Sequence, residues 1–145
     1  YGDRSSTSRA SSPGNRFEPG KKPMSTMAPT IIFDENNELF LITGSPGGSD
    51  IPAAILRVIT GVIDFDLDIG EATMLPRIHK DWPYVGLEHE RAVSRDIVRR
   101  LKGMGHETEY ENTIGSTQSI HIINGVNYGY ADLRRPNASV SVQSN

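Results

Sequence analysis

The sequence of 145 residues contains no cysteine. This absence excludes a disulfide framework, a thiolate nucleophile and a cysteine-ligated zinc site. A net charge of -3 also leaves no excess of basic side chains to attract phosphate backbones, so we expect no nucleic-acid partner. The longest apolar stretch, residues 51–63, is interrupted by Arg57, Thr60 and Gly61 and is shorter than the roughly 20 residues that a membrane span requires.

What the sequence does contain is the composition of a globular protein, with 36% hydrophobic and 23% charged residues. Residues 1–23 are rich in Ser, Gly, Pro and Arg and show no periodicity, which predicts an extended loop or linker. Regular patterns begin after this segment. We therefore expect the folded part to comprise residues 24–145.

The first half of this part predicts a hairpin followed by a helix. Residues 30–33 and 39–42 are short β-favouring runs joined by a polar turn, and their apolar character predicts two buried strands. Asp50 and Pro52 then form a typical helix start, with Asp50 as a cap. The apolar side chains of residues 51–63 cover most of the helix surface, as in a helix packed between layers.

The second half predicts two more helices and three strands. Asp68 and Glu71 resemble a capping box at the start of a helix over residues 69–75, and Ser94 precedes a second helical stripe with a basic last turn. The chain between these helices is predicted to be irregular. Strands are expected at 107–110 and on both sides of Asn124-Gly125, a strong hairpin signal. The predicted fold class is therefore α+β.

A glycine-rich turn between the second strand and the first long helix is the most informative segment. It contains Gly44, Gly47 and Gly48, which allow backbone N–H groups to approach a ligand closely. Such a turn at a helix N-terminus suits a phosphate, a carboxylate or a developing oxyanion. A tight turn without a ligand is an equally good interpretation of the sequence alone.

Two adjacent hydroxyl residues, Ser25 and Thr26, lie between Pro23 and Pro29. Stiffly held hydroxyls can bind a carboxylate, and one of them can act as a nucleophile if a base is near. Taken alone, the pair is more often a cap or part of a loop. No G-x-S-x-G motif surrounds either residue, which makes the nucleophile interpretation weaker.

Metal binding is not predicted. Asp64, Asp66 and Asp68 resemble the opening of a calcium loop, but Ile69 and Leu75 stand where the glycine and the bidentate glutamate are required. The four histidines show no metal-ligand spacing, and we expect each to be a surface or hydrogen-bonding residue; they are His79, His89, His106 and His121. We expect no cofactor.

Several segments taken together, and in this order, resemble the gamma-glutamyltranspeptidase family over about residues 15–136. They are residues 18–23 (EPGKKP), 24–30 (MSTMAPT), 44–49 (GSPGGS), Glu71-Ala72 with 76–79 (PRIH), 115–119 (GSTQS) and 128–136 (YGYADLRRP). The resemblance implies part of a four-layer αββα N-terminal nucleophile hydrolase fold, with two central antiparallel sheets flanked by helices. Residues 24–145 would be the C-terminal part of the small subunit.

The resemblance also implies an activity. The family cleaves gamma-glutamyl amides such as glutathione through a gamma-glutamyl-enzyme and transfers the group to amino acids, peptides or water. By this resemblance, the backbone amides of Gly47 and Gly48 form the oxyanion hole, while Ser25 and Thr26 bind the α-carboxylate of the glutamyl group. The alternatives are a non-catalytic anion-binding module, or a relative that acts as a cephalosporin acylase or polyglutamate depolymerase.

The family's nucleophile is a threonine at the start of the small subunit, which precedes the matching region and has no counterpart in residues 1–23. We therefore expect a fragment that is inactive alone and whose partner is the large subunit of the same precursor. The alternative is a divergent relative that has lost the catalysis. The resemblance implies a periplasmic or extracellular location.

Two positions depart from the family pattern. Thr26 stands where the family usually has a second serine, which keeps the hydroxyl but adds a methyl group. Asp50 stands where the family commonly has arginine, and its acidic group is expected to disfavour an anion nearby unless it serves as a helix cap.

Overall fold

The computed structural model describes residues 18–22, 24–81 and 86–141. Most of the predicted linker, residues 1–23, lies outside the described residues, so the division of the chain at residue 23 stays a prediction. Where a helix is described, none is long and apolar enough to cross a membrane.

The first hairpin consists of strands β1 (Thr30–Phe33) and β2 (Leu39–Gly44). Its turn is held by Asp34, whose Oδ1 accepts the backbone N–H groups of Asn36 at 2.9 Å and Glu38 at 2.8 Å. Asn37 adopts a positive φ of 63°, which asparagine tolerates better than most residues. The hairpin prediction is confirmed.

Strands β1 and β2 belong to a four-stranded antiparallel sheet with two later strands, β6 (Gln118–Ile123) and β7 (Val126–Ala131), in the order β1-β2-β6-β7. Strands β6 and β7 are joined by Asn124 and Gly125. These two residues have φ angles of 51° and 76°, as a two-residue hairpin turn with positive φ at both positions requires. The C-terminal hairpin is therefore also confirmed.

The expectation of two buried strands is wrong for β1. Leu41 and Thr43 of β2 are buried, but Ile31 and Phe33 of β1 are 60% and 55% exposed. The reason is the face of the sheet, because Leu41 pairs with Ile32 on the face that carries the core, whereas Ile31 pairs with Ile42 on the opposite face. An apolar run in the sequence does not distinguish these two environments.

Helices α1 (Ile51–Ile63) and α2 (Ile69–Met74) pack together against the sheet. Gly61 of α1 permits the close approach, since a Cβ there would lie 2.9 Å from the Cβ of Ala72. The predicted capping box of Asp68 and Glu71 is present at the start of α2. The buried core consists of Leu41, Val58, Val62, Ile69 and Ala72.

The predicted cover of α1 on both sides is not seen among the described residues. Ala54, Ile55 and Val58 are buried on one face, whereas Leu56 is 60% exposed on another. Within residues 18–22, 24–81 and 86–141, α1 is therefore covered on one face only.

The region between α2 and the last helix is not irregular, contrary to the prediction. It contains β3 (Ile78–His79) and β4 (Gly86–His89), which pair with each other antiparallel. Helix α3 (Arg95–Gly103), capped by Ser94 as predicted, leads to β5 (Glu107–Tyr110). Because β5 pairs parallel with β4, this second sheet is mixed, not antiparallel. Strands this short carry too few residues to show a period in the sequence.

Candidate functional site

The glycine-rich turn follows β2 and ends in a single 3-10 turn, Gly48–Asp50. Gly47 and Gly48 have φ angles of 143° and 63°, which residues other than glycine rarely adopt. A Cβ on Gly48 would meet no atom of the described residues within 4 Å. The space beside Gly48 is therefore open, and a ligand can approach its backbone.

The hydroxyl pair lies against this turn. Thr26 Oγ1 donates a hydrogen bond of 2.7 Å to the carbonyl oxygen of Gly48, although the two residues are 22 positions apart in the chain. Ser25 Oγ accepts the backbone N–H of Met27 at 3.2 Å. The structure thus brings the sequence-predicted residues Ser25, Thr26, Gly47 and Gly48 together at one place.

The turn is supported from behind by Gly115. A Cβ at Gly115 would lie 2.6 Å from the Cβ of Ala54 and 2.9 Å from Ser45 Oγ, so only glycine fits there. Ser45 Oγ also accepts the backbone N–H of Ser116 at 2.9 Å and donates to the carbonyl of Pro46 at 2.7 Å. These contacts fix the backbone that enters the glycine turn.

Behind Gly115 lies a group of four buried or partly buried charged residues, here called the buried ion network: Arg77, Glu90, Asp132 and Arg134. Arg77 Nη2 donates to Asp132 Oδ2 at 2.8 Å, and Arg134 Nε donates to Glu90 Oε1 at 2.6 Å. Arg134 Nη1 also contacts Asp132 Oδ1 at 3.2 Å. Two guanidinium groups and two carboxylates therefore neutralise each other inside the domain.

The network is bonded to the segment that carries Gly115. Arg77 Nη1 donates to the carbonyl of Ile114 at 2.9 Å, and the Ile114 N–H donates to Glu90 Oε1 at 3.2 Å. Both contacts hold the residue directly before Gly115. The network therefore holds the Ile114-Gly115 segment, against which the glycine turn packs.

Electrostatics within the network favour its charged form. Burial alone would raise the pKa of Asp132, but a backbone N–H of Arg134 and the charges of Arg77 and Arg134 hold that pKa below its ordinary value. Sequence reasoning cited Arg77 and Arg134 within motifs but gave them no role. Nothing in the local sequence shows that they meet, since Arg77 and Asp132 are 55 positions apart.

Asp50 does not cap α1, so the predicted cap is wrong. It occupies the N-cap position with helical backbone angles, and its side chain accepts no hydrogen bond from the helix. Asp50 Oδ1 instead lies 3.6 Å from His79 Nε2. With Glu88 these residues form what is here called the acid–histidine cluster, with one ligand-type atom from each residue within 4.8 Å of the others.

The acid–histidine cluster was not predicted. Its members come from the 3-10 turn, β3 and β4, so no local spacing in the sequence indicates the cluster. The fold brings them together because β3 and β4 pair in a register that places His79 opposite Glu88.

Comparison with known proteins agrees with this arrangement. A family model described as "Gamma-glutamyltranspeptidase" matches residues 2–142. The chain belongs to the gamma-glutamyltranspeptidase family. The matched residues include the glycine turn, the hydroxyl pair, the buried ion network and the acid–histidine cluster.

Individual relatives support the same assignment. The glutathione hydrolase proenzymes of Escherichia coli and Bacillus subtilis are 38% and 34% identical to this chain over 83% and 88% of its length. A mutant gamma-glutamyltranspeptidase of Helicobacter pylori has a TM-score of 0.80 and 36% identity, covering 86% of this chain and 69% of that one. The predicted α+β class, as part of an N-terminal nucleophile hydrolase fold, is confirmed.

The match is partial from the side of the relatives. The chain spans only 21% and 22% of the length of the Escherichia coli and Bacillus subtilis proenzymes. The solved structure is covered to a greater extent. The 145 residues therefore align with about one fifth of the length of these two proenzymes.

Proposed function

We propose that this chain is the part of a gamma-glutamyl transferase/hydrolase that binds the glutamyl carboxylate and stabilises the oxyanion of the reaction. The complete protein would cleave gamma-glutamyl amides such as glutathione and pass the acyl group to an amino acid, a peptide or water. The name shared by the two proenzymes, glutathione hydrolase, supports this substrate class. No cofactor takes part in the proposed reaction.

The observation that carries the proposal is the hydrogen bond between Thr26 and Gly48, 2.7 Å long. It joins a carboxylate-type site, the hydroxyl pair, to an oxyanion-type site, the glycine turn. A gamma-glutamyl group needs both, because its α-carboxylate and its scissile carbonyl lie at opposite ends of one short chain. A turn that only reverses the backbone would not require a hydroxyl pair beside it.

The two hydroxyls have different proposed roles. Thr26 donates its hydrogen to Gly48, so it positions the glycine turn and offers a ligand only its oxygen lone pairs. Ser25 is exposed, and within the described part of the chain no acceptor takes its hydroxyl hydrogen. Ser25 is therefore the better donor to the substrate carboxylate.

The backbone N–H groups of Gly47 and Gly48 are the proposed oxyanion donors. Removing one such donor from an enzyme typically costs about 2.7–4 kcal/mol of transition-state stabilisation. The attacking threonine and the large subunit are proposed to come from the rest of the precursor. Amino acids or peptides would act as acceptors.

The test uses the complete protein that contains this chain and a chromogenic gamma-glutamyl anilide. Gly48→Ala forces a side chain into a backbone with φ of 63° without a clash, since the space there is open. We expect kcat to fall about tenfold or more, because roughly 1–2 kcal/mol of strain at this φ displaces the oxyanion donor. Gly103→Ala, at an open position without positive φ, is the matched control.

The roles of the hydroxyls are separated by three variants. Ser25→Ala should raise KM more than it lowers kcat, whereas Thr26→Val should lower kcat by about three- to tenfold, as expected for one hydrogen bond of roughly 0.5–1.5 kcal/mol. Thr26→Ser keeps the hydroxyl and should restore kcat. If Gly48→Ala and Thr26→Val each kept full activity, the proposal would be wrong. If the complete protein binds carboxylates but does not turn over the gamma-glutamyl anilide, it is instead an anion-binding module.

A further inference from the structure

We propose that Asp50, His79 and Glu88 form a binding site for a divalent transition-metal cation. The site lies where the 3-10 turn after the glycines meets the short strands β3 and β4. The proposal does not depend on the proposed function, because it rests on a different set of side chains.

The geometry brings one nitrogen and two carboxylate oxygens together. His79 and Glu88 are direct cross-strand partners, and such pairs have their Cβ atoms about 4.5–5.5 Å apart. Asp50 Oδ1 lies 3.6 Å from His79 Nε2. Two ligands about 2.1 Å from a tetrahedral zinc ion are about 3.4 Å apart, so this spacing is that of two ligands of one ion.

The histidine provides independent evidence for a ligand. Its side chain is only 10% exposed, and among the described residues its Nε2 has no hydrogen-bond partner. A buried ring nitrogen without a partner is costly, because it has lost water without gaining a replacement. Coordination of a metal ion by this nitrogen would supply the missing partner.

The charges of the surroundings also favour a cation. Burial raises the pKa of Asp50, His79 partly opposes this, and the carboxylates of Glu111 and Asp81 raise that pKa further. Burial and Asp50 likewise raise the pKa of Glu88. Several acids therefore surround a single imidazole, and a divalent cation would offset their mutual repulsion.

The donor set indicates the class of metal. Imidazole nitrogen suits zinc, iron, nickel and copper, whereas magnesium and calcium prefer sites made only of oxygen. Three protein ligands with one position left for water are common in mixed histidine–carboxylate zinc sites. We therefore use Zn²⁺ as the probe, with Mg²⁺ and Ca²⁺ as the contrasting ions.

Occupation of the site would also change the charge near the glycine turn. Asp50 lies two residues after Gly48, and its acid was expected to disfavour an anion there. A bound cation would neutralise that acid.

The experiment measures metal binding to the complete protein after treatment with a chelator. Zn²⁺ alone is titrated by calorimetry, and Co²⁺ is added separately to record the visible bands of a low-symmetry site. The variants are His79→Ala and Glu88→Gln, the second of which keeps the side-chain shape. His106→Ala, which changes a histidine outside the cluster, is the matched control. Circular dichroism verifies that every variant is folded.

We expect the wild type and His106→Ala to bind one more equivalent of Zn²⁺ than His79→Ala. Glu88→Gln should weaken that equivalent by at least the roughly 10–100-fold that loss of an outer partner of a metal ligand costs. Equal Zn²⁺ stoichiometry and affinity in the wild type and both cluster variants would overturn the proposal. Binding of Mg²⁺ or Ca²⁺ in preference to Zn²⁺ at these residues would overturn the assigned class of metal.

Discussion

Two groups of charged side chains extend from the same short strand pair, and they differ in how their charge is balanced. Arg77 and Glu90 of the buried ion network lie directly beyond the paired residues of β3 and β4, while His79 and Glu88 of the acid–histidine cluster lie within them. In the network each carboxylate meets a guanidinium at 2.8 Å or less. In the cluster the carboxylates face one imidazole.

The difference shows two ways in which buried charge is tolerated. The network is nearly complete in itself, because its two cations and two anions are hydrogen-bonded to each other and to backbone carbonyls, and of its side-chain atoms only Arg77 Nε lacks a partner among the described residues. The cluster has an excess of acid and a ring nitrogen with no described partner. The first arrangement is that of a structural support, and the second is that of the proposed cation site.

The largest expected effect comes from breaking the network. Arg77→Met should lower the free energy of unfolding of the complete protein by about 3–5 kcal/mol, because the buried Asp132 loses its shorter ionic contact and keeps only the 3.2 Å contact with Arg134. Arg99→Met is the control, since Arg99 pairs with Asp96 at the surface with 78% of its side chain exposed, and such pairs contribute only about 0.2–1 kcal/mol. Urea unfolding measures both. Similar losses in the two variants would show that the network is not a structural support.

A second change tests the connection between the network and the glycine turn. Gly115→Ala should cost about 1–3 kcal/mol from overpacking against Ala54, in addition to strain at φ of 68°. Gly125→Ala has the same kind of strain at φ of 76°, but its Cβ would meet no described atom within 4 Å, so it isolates the clash. Thermal unfolding and kcat are measured together. A drop in kcat for Gly125→Ala as large as that for Gly115→Ala would contradict the connection.

Acid should weaken the network through Asp132. Its pKa is lowered in the folded state, so its contribution to stability is present above its unfolded value of 3.8 and is lost as the pH falls through the folded value. Asp132→Asn should therefore cost about 1.5–3 kcal/mol at neutral pH, and the difference from the wild type should shrink below pH 3.8. Urea midpoints between neutral and strongly acidic pH measure this. If the difference in free energy of unfolding between Asp132→Asn and the wild type did not change with pH, the charge of Asp132 would be unimportant. Asp96→Asn, at an exposed site, is the control for general effects of acid.

The sequence predicted those parts of the fold that are encoded locally. The capping box at Asp68, the Asn124-Gly125 turn and the apolar stripe of α1 each depend on neighbours within a few positions, and all three are present. The burial of β1 was predicted wrongly for Ile31 and Phe33, because which face of a sheet is covered is a property of the whole topology. The short strands β3 and β4 were missed because they carry too few residues to show a period in the sequence.

The candidate site divides along the same line. Gly47 and Gly48 were found because positive φ and close backbone approach require glycine, which is visible in the sequence. The contact from Thr26 to Gly48 and the meeting of Asp50 with His79 depend on residues 22 and 29 positions apart, respectively. Local chemistry is therefore readable from sequence, whereas long-range pairs are visible only when the topology is known.

The smallest expected effect contrasts the two groups most directly, since one chemical change should have opposite signs two residues apart. In protein freed of metal at neutral pH, Glu88→Gln should raise the free energy of unfolding by about 0.2–1 kcal/mol, because it removes one of several neighbouring acids. Glu90→Gln should lower it, because Arg134 loses its closer ionic partner and keeps only the contact with Asp132. Saturating Zn²⁺ should reverse the first difference, since only the wild type gains the full set of ligands. Destabilisation by Glu88→Gln in the absence of metal would mean that the cluster, like the network, is already balanced by its own members.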